Sequence, residues 1–409
     1  MSNIRIEMFP ASYGDSFLVS LGNKIKTHIL IDGGLKATYN CFLKTKLEEI
    51  SRLGEKISLL IVTHIDRDHI EGILELVHDN NKSEDPKIIP IDEIWFNSYR
   101  HLQFSKEKAK EINFEEKEIL KDIITRGRGY LRKNETNPNR PISAKQGSTL
   151  ASLIYKGGYN WNNSFHGQAV SVNNNKNVNI TPEIKIHILS PNTEKLNKLA
   201  RLWVRELNRK KYNFTLSDNE IFDDAFEFFM LEQAVTNIEA NKEVSSRNRK
   251  EILDIKNLAN ESMQGDLSIT NGSSISIIIE YKDKQLLFLG DAHPDIITTN
   301  IQEKIREGLS PFFELIKISH HGSKKNTSKD LLELIDAPIY LISTDGKKHN
   351  HPDLTALARI VNRENGPIRN LYFNYPTEGS TYMNNEIIKS DLNFNVFISS
   401  GVQSTIIEV

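Results

Sequence analysis

The feature that most restricts this chain is an apolar run, Leu59-Leu60-Ile61-Val62, which passes through Thr63 into His64-Ile65-Asp66-Arg67-Asp68-His69. A run without polar alternation is the pattern of a strand covered on both faces. Residues 70–79 then read as a helix. A strand, a polar turn and a helix in that order belong to an α/β sheet, and such sheets carry their active sites at strand C-terminal ends. Four ligand-type side chains in six residues would repel one another or lie unsatisfied without a cation. Imidazole and carboxylate together suit divalent transition metals.

The flanking sequence repeats this grammar. Residues 4–9, 16–21 and 28–34 read as short strands punctuated by Gly and Asp, and 93–96 as another. Residues 104–135 are a charged helical stretch, 134–180 an Asn-, Gly- and Ser-rich region of loops or hairpins, 184–190 a strand, and 193–256 long amphipathic helices. Residues 274–281 and 285–291 predict a hairpin around Tyr281-Lys282-Asp283-Lys284; strands at 314–321 and 337–344 and helices at 328–335 and 353–364 follow. Weaker strands occupy 394–398 and 403–408. The reading is one core, residues 1–98 and 266–409, split by a mainly helical insertion at 99–265. Loops of that length usually carry structure and function of their own.

Three further strand ends carry chemistry. Gly290-Asp291 closes the run Leu286–Leu289; Ser319-His320-His321-Gly322-Ser323 follows Ile318; His349-Asn350-His351-Pro352-Asp353 lies just past 337–344. Side chains alternate along a strand, so one of His320 and His321 should face the site while the other packs behind it.

The order of these motifs resembles the metallo-β-lactamase fold superfamily. The match is closest to the hydrolase domain of the DNA-uptake protein ComEC and its soluble free-standing relatives. The residues that carry it are Gly14-Asp15-Ser16-Phe17-Leu18, Leu30-Ile31-Asp32-Gly33-Gly34, Thr63 through His69 with Gly72, Leu289-Gly290-Asp291, His320-His321-Gly322-Ser323 and His351-Pro352. They fall within residues 1–98 and 268–360; the insertion matches nothing in the family. The resemblance implies a four-layer αβ/βα sandwich with two divalent metals. It implies His64, Asp66, Asp68, His69, Asp291 and one of His320 and His321 as ligands, with Asp291 bridging and with Asp15 and Asp32 supporting from behind. Two departures matter. Asp66 stands where the wider superfamily has His, and Ile269-Thr270-Asn271-Gly272-Ser273 lacks the His of an H-T-x-G-S motif. Carboxylate-rich sites tilt toward manganese or magnesium relative to zinc, so zinc and manganese both remain, with magnesium possible.

Such a centre predicts metal-assisted hydrolysis. Asp68 would ligate metal and orient the attacking water, with His351 and Lys317 as candidates to neutralise a phosphate or protonate a leaving oxygen. The expected activity is that of a nuclease or phosphodiesterase. The alternatives are a hydrolase of small esters, thioesters or lactams, or a catalytic subunit of a larger assembly. Arg126, Arg128, Arg132 and Lys133, around Tyr130, suggest a segment that tracks a DNA or RNA backbone. The apolar helices 221–238 suggest a packed cap or a surface for a protein partner. Lys+Arg 52 against Asp+Glu 54 leaves a net charge of -2, which excludes a wholly basic nucleic-acid binder but not a local basic groove. One cysteine, Cys41, excludes a disulfide scaffold. No apolar run reaches the roughly 18 residues of a membrane span, and no secretory signal is read, so a cytoplasmic location is expected.

Overall fold

The computed structural model describes residues 4–102, 112–133, 149–209, 214, 216–240, 255–262, 264–363 and 365–409. Short runs rich in Ile, Leu and Val make the first sheet. β1 (Ile4–Met8), β2 (Phe17–Leu21) and β3 (Thr27–Ile31) form an antiparallel meander, and β4 (Ile57–Ile61) lies parallel to β3. A small hairpin, β5 (Asn81–Lys82) with β6 (Asp85–Pro86), precedes β7 (Ile94–Trp95), which pairs in parallel with β4.

The second sheet runs in chain order through β8 (Asn177–Thr181), β9 (Ile184–Ser190), β10 (Ser276–Tyr281), β11 (Lys284–Phe288), β12 (Leu315–Lys317), β13 (Ile339–Ile342), β14 (Arg369–Phe373) and β15 (Phe394–Ile398). It is antiparallel up to β11 and parallel from β11 to β15. β16 (Thr405–Glu408) crosses back to pair with β1.

Residue parity separates the layers. Leu59 and Ile61 face inward with Ile6, Val19 and Ile29, and meet Ile186, Ile188, Ile277, Ile279 and Phe288 of the opposite sheet. Leu60 and Val62 face outward onto Leu43 and Leu47 of the helical run 36–52 and onto Ile70 and Ile73 of helix Arg67–Asn80. Ile278, Leu287, Ile316 and Tyr340 face outward from the second sheet onto Ile297, Leu331 and Leu357, from helices Pro294–Arg306, Lys329–Leu334 and Leu354–Val361. The architecture is therefore the expected four-layer αβ/βα sandwich.

The segment between the halves departs from its reading in two places. Leu150–Lys156 is a helix, started by Thr149, whose side chain accepts from the Ser152 amide. The Asn-rich stretch after it supplies β8. Ile184, Ile186 and Ile188 alternate inward, so β8 and β9 are strands of the core and the second sheet begins at 177, not 266. The helices Phe114–Lys133, Thr193–Arg209 and Glu220–Ala240 extend the first helical layer: Trp203, Phe222, Phe226 and Phe229 share one core with Leu43 and Ile70. Arg126, Arg128, Arg132 and Lys133 belong to the last turns of helix Phe114–Lys133, within the stretch read as helical. Residues 134–148 lie outside the described residues. Among the described residues no helix is long and apolar enough to cross a membrane.

Candidate metal centre

The C-terminal ends of β3, β4, β11, β12 and β13 meet at one edge of the sandwich. Two glycines allow the approach. A Cβ on Gly72 would lie 1.9 Å from the Gly33 carbonyl oxygen, and one on Gly14 would lie 2.0 Å from that of Asp68. Helix Arg67–Asn80 can therefore press against the loop after β3, where the Gly33 amide donates to the His69 carbonyl and the Gly72 amide to that of Gly34. Asp66 occupies the N-cap position of this helix, yet its side chain makes no capping hydrogen bond and turns to the centre, 3.5 Å from His64 Nε2.

Each imidazole is gripped from behind. His69 Nδ1 donates to Asp32 Oδ2 at 2.8 Å, and Asp32 in turn accepts from the Thr63 amide and hydroxyl, both at 2.8 Å. His321 Nδ1 donates to the Ser343 carbonyl at 2.9 Å. His320 Nδ1 faces Asn326 Oδ1 at 3.0 Å and Asp266 at 3.6 Å. His64 Nδ1 meets the Thr63 hydroxyl at 3.0 Å. With the Nδ1 atoms so engaged, the Nε2 atoms turn inward. Those of His69, His321, His64 and His320 lie 3.5, 3.6, 3.8 and 3.9 Å from a single atom, Asp291 Oδ2. Asp68 Oδ2 lies 3.4 Å from His321 Nε2 and 4.0 Å from His69 Nε2.

These residues fit a cation. His64 Nε2, His69 Nε2, His321 Nε2, Asp66 Oδ1 and Asp291 Oδ1 are buried and have no hydrogen-bond partner among the described residues. Orphaned buried polar atoms cost about 1–3 kcal/mol each, more when charged, so the three imidazole nitrogens that converge on Asp291 need a common partner. His64, His69 and Asp291 offer ligand atoms within 4.8 Å of one another, and so do Asp68, His69 and His321. Two other groupings draw on Asp15 and Asp32. Those carboxylates are already committed, Asp15 to Lys317 and Asp32 to Thr63 and His69, so the first two describe the centre better. Electrostatics agree. Burial resists charging of Asp291, yet the rings of His321, His69 and His320 hold its carboxyl well below the usual range. Burial likewise opposes a charged His321, but Asp291 and Asp15 push it up to about 9. The pocket is built to hold positive charge.

Both His320 and His321 reach the centre, where alternation along a strand led to an expectation of one. β12 ends at Lys317, and both histidines sit in a tight turn with φ of 47° and 56°, so strand parity does not apply to them. Lys317 departs from its expected role. It is 1% exposed, ion-paired with Asp15, and its ammonium donates to the Gly290 carbonyl at 3.1 Å. Its strand directs it between the sheets, where it braces Asp15 and the Gly290 turn with its ammonium 4.0 Å from Asp291 Oδ1. His351 lies at the mouth, its ring 5.2 Å from that of His320 and its Nδ1 3.5 Å from Asp353. Arg126, the one basic residue of its group with a described side chain, pairs with Asp122 at 3.2 Å. Ile269 stands at the position of the absent motif histidine; Asn271, two residues on, donates to Asp266 at 2.7 Å and meets His320 Nδ1 at 3.3 Å. Sequence reasoning missed Asp266, Asn326 and Ser343, which orient ligands from segments with no motif, and it missed Lys348, 3.9 Å from Asp68 Oδ1.

Residues 10–130 match the family model of the metallo-beta-lactamase superfamily. Those residues carry the signature of a metallo-β-lactamase superfamily domain. No curated protein matches the chain. Among solved structures, it is similar to CmlA, a diiron β-hydroxylase from Streptomyces venezuelae, at 10% identity and a TM-score of 0.38, over 100% of this chain and 54% of that one. A mutant of the same hydroxylase matches at 10% identity and a TM-score of 0.33 over the same shares. The chain thus spans about half the length of these solved proteins.

Proposed function

We propose that this protein is a metal-dependent phosphodiesterase, with a nucleic acid as its substrate. The observation that carries the metal centre is the convergence of four imidazole Nε2 atoms on Asp291 Oδ2 between Asp66 and Asp68. His64, His69 and Asp291 gather their ligand atoms within 4.8 Å of one another, with Asp66 3.5 Å from His64 Nε2, and Asp68, His69 and His321 do the same. These two groupings support two divalent ions, zinc or manganese, which the same residues would hold. When bound, such ions acidify water and offset charge on the ester oxygens.

The chain's own groups supply the rest. Asp68, held well below the usual carboxylate range against the resistance of its burial by Lys348, His321 and His69, stays ionised and orients the attacking water. Water adds to phosphorus and gives up a proton to solvent, the P–O bond to the leaving group breaks, and the leaving oxygen takes a proton from His351 at the mouth. No thiol competes for the role of nucleophile, since Cys41 is exposed in the helical run 36–52. The resemblance to the ComEC hydrolase domain favours a nucleic acid over other diesters.

The test is incubation of metal-free protein with single- and double-stranded DNA, RNA, bis-p-nitrophenyl phosphate and p-nitrophenyl acetate, with Mn²⁺, Zn²⁺ or Mg²⁺ added separately. Metal-dependent cleavage of the diester and of at least one nucleic acid is expected. Turnover of the neutral ester alone would overturn the reading in favour of a small-molecule esterase.

A further inference from the structure

The loop after β13 brings one cation to the centre that no motif announces. Its base is fixed to the site: the Ser343 hydroxyl donates to the Gly14 carbonyl at 2.6 Å, and the Thr344 amide donates to Asn374 Oδ1 at 2.9 Å. Beyond it, Lys347 points to solvent, 83% exposed, while Lys348 turns inward and is 14% exposed. The Lys348 ammonium lies 4.3 Å from the centre of the Tyr13 ring. A cation held over an aromatic face keeps its N–H donors free. Its ion pair among the described residues is the 3.9 Å approach to Asp68 Oδ1, longer than a hydrogen bond.

The neighbouring cations are engaged more closely. Lys317 is seated on Asp15 and the Gly290 carbonyl, Arg67 on Glu71, and Lys195 on Asp295 at 2.9 Å. Lys348 alone among these four stands at hydrogen-bond distance from no carboxylate, and it stands beside the carboxylate that orients the water.

We propose that Lys348 is the specificity-determining residue of this centre: it binds a charged non-bridging oxygen of an anionic ester and so selects phosphodiesters over neutral esters. The proposal rests on the phosphodiesterase reading. An anion that approaches Asp68 meets a like charge, and an ammonium 3.9 Å from Asp68 Oδ1 offsets it. A neutral ester gains nothing from that ammonium. The role is one of binding and selection, and no proton moves at Lys348.

Lys348→Met keeps the aliphatic stem over Tyr13 and removes the charge; Lys348→Arg restores charge. Three quantities are compared with wild type: bound manganese by elemental analysis, the ratio of kcat/KM for bis-p-nitrophenyl phosphate to that for p-nitrophenyl acetate, and the affinity of the Mn²⁺-loaded protein for inorganic phosphate by calorimetry. For Lys348→Met the expected results are unchanged manganese, a selectivity ratio lower by about tenfold or more, and phosphate affinity lower to a similar degree, with partial recovery in Lys348→Arg. An unchanged ratio, or equal loss on both esters with loss of manganese, overturns the proposal; the latter would make Lys348 a brace for Asp68. If wild type turns over only the neutral ester, the phosphodiesterase reading fails, and the phosphate titration judges Lys348 separately: equal affinity in wild type and Lys348→Met overturns its role as an anion site.

Discussion

Asp291 is the side chain on which the centre turns, because one of its oxygens faces four imidazoles at 3.5–3.9 Å. Asp291→Asn and Asp68→Asn preserve shape and remove one negative charge each. Both are expected to abolish diester hydrolysis in a chain that keeps its circular dichroism spectrum, and Asp291→Asn should also lower bound metal. Turnover equal to wild type in either variant would contradict the assignment. Lys317 calls for a different measurement. Its removal takes from Asp15, 1% exposed, its closest counter-ion and leaves it, among the described residues, only His321 at 3.3 Å. Breaking a buried pair from one side costs about 3–5 kcal/mol, so Lys317→Met should lower the urea midpoint sharply. Asp15→Leu combined with Lys317→Met should recover part of that loss. Most of the residues that gather at the candidate centre were legible in sequence because they follow continuous apolar runs, as His64 follows Leu59–Val62 and Asp291 follows Leu286–Leu289. The direction of Lys317 was not legible. Whether the last residue of a strand faces the sheet interface or the substrate depends on register, and one position of slip reverses it.

At the scale of elements, Glu227 on helix Glu220–Ala240 sets a pH dependence. Burial pushes its carboxyl up to about 8, against the Leu150 and Ala151 amides that donate to it at 2.6 and 3.1 Å, with Asp224 and Asp223 adding to the rise. Between its ordinary value of 4.5 and about 8 the native state holds a proton that the unfolded chain has lost. Stability therefore falls as pH rises through that window. Glu227→Gln should flatten the fall, as seen in melting temperatures from pH 5 to 8.5; an unaltered slope would contradict this. The helix that Glu227 holds, Leu150–Lys156, was read as loop because Asn and Gly dominate its surroundings, although Leu150, Ala151 and Ile154 are all buried. β14 escaped notice for a related reason. It opens on Arg369, a residue that argues against a core strand, yet Arg369 is buried through a 2.6 Å bond to Asp336. Both elements depend on a carboxylate supplied from elsewhere in the chain, which local pattern cannot reveal.

For the molecule as a whole, the insertion's part in holding substrate can be separated from the chemistry of the centre. Replacing Arg126, Arg128, Arg132 and Lys133 together with Ala should weaken binding of a nucleic acid. It should also flatten the salt dependence, by roughly 0.7–0.9 in log–log slope for each phosphate that is no longer neutralised. Hydrolysis of bis-p-nitrophenyl phosphate should hardly change, since the centre is untouched. Loss of both activities would mean that the helix supports the fold, and loss of neither that its basic run is simply solvated. The shared core bears on how such a protein diversifies. Trp203, Phe226 and Phe229 pack into the same cluster as Ile70 and Ile73, which lie on the helix that begins with the ligand turn. Emptying a buried aromatic position there costs about 3–5 kcal/mol, so the insertion cannot be exchanged like a cassette. A related chain that carried a different insertion would have to rewrite the outward face of helix Arg67–Asn80 as well, and the two segments should therefore drift together, with compensating changes in volume.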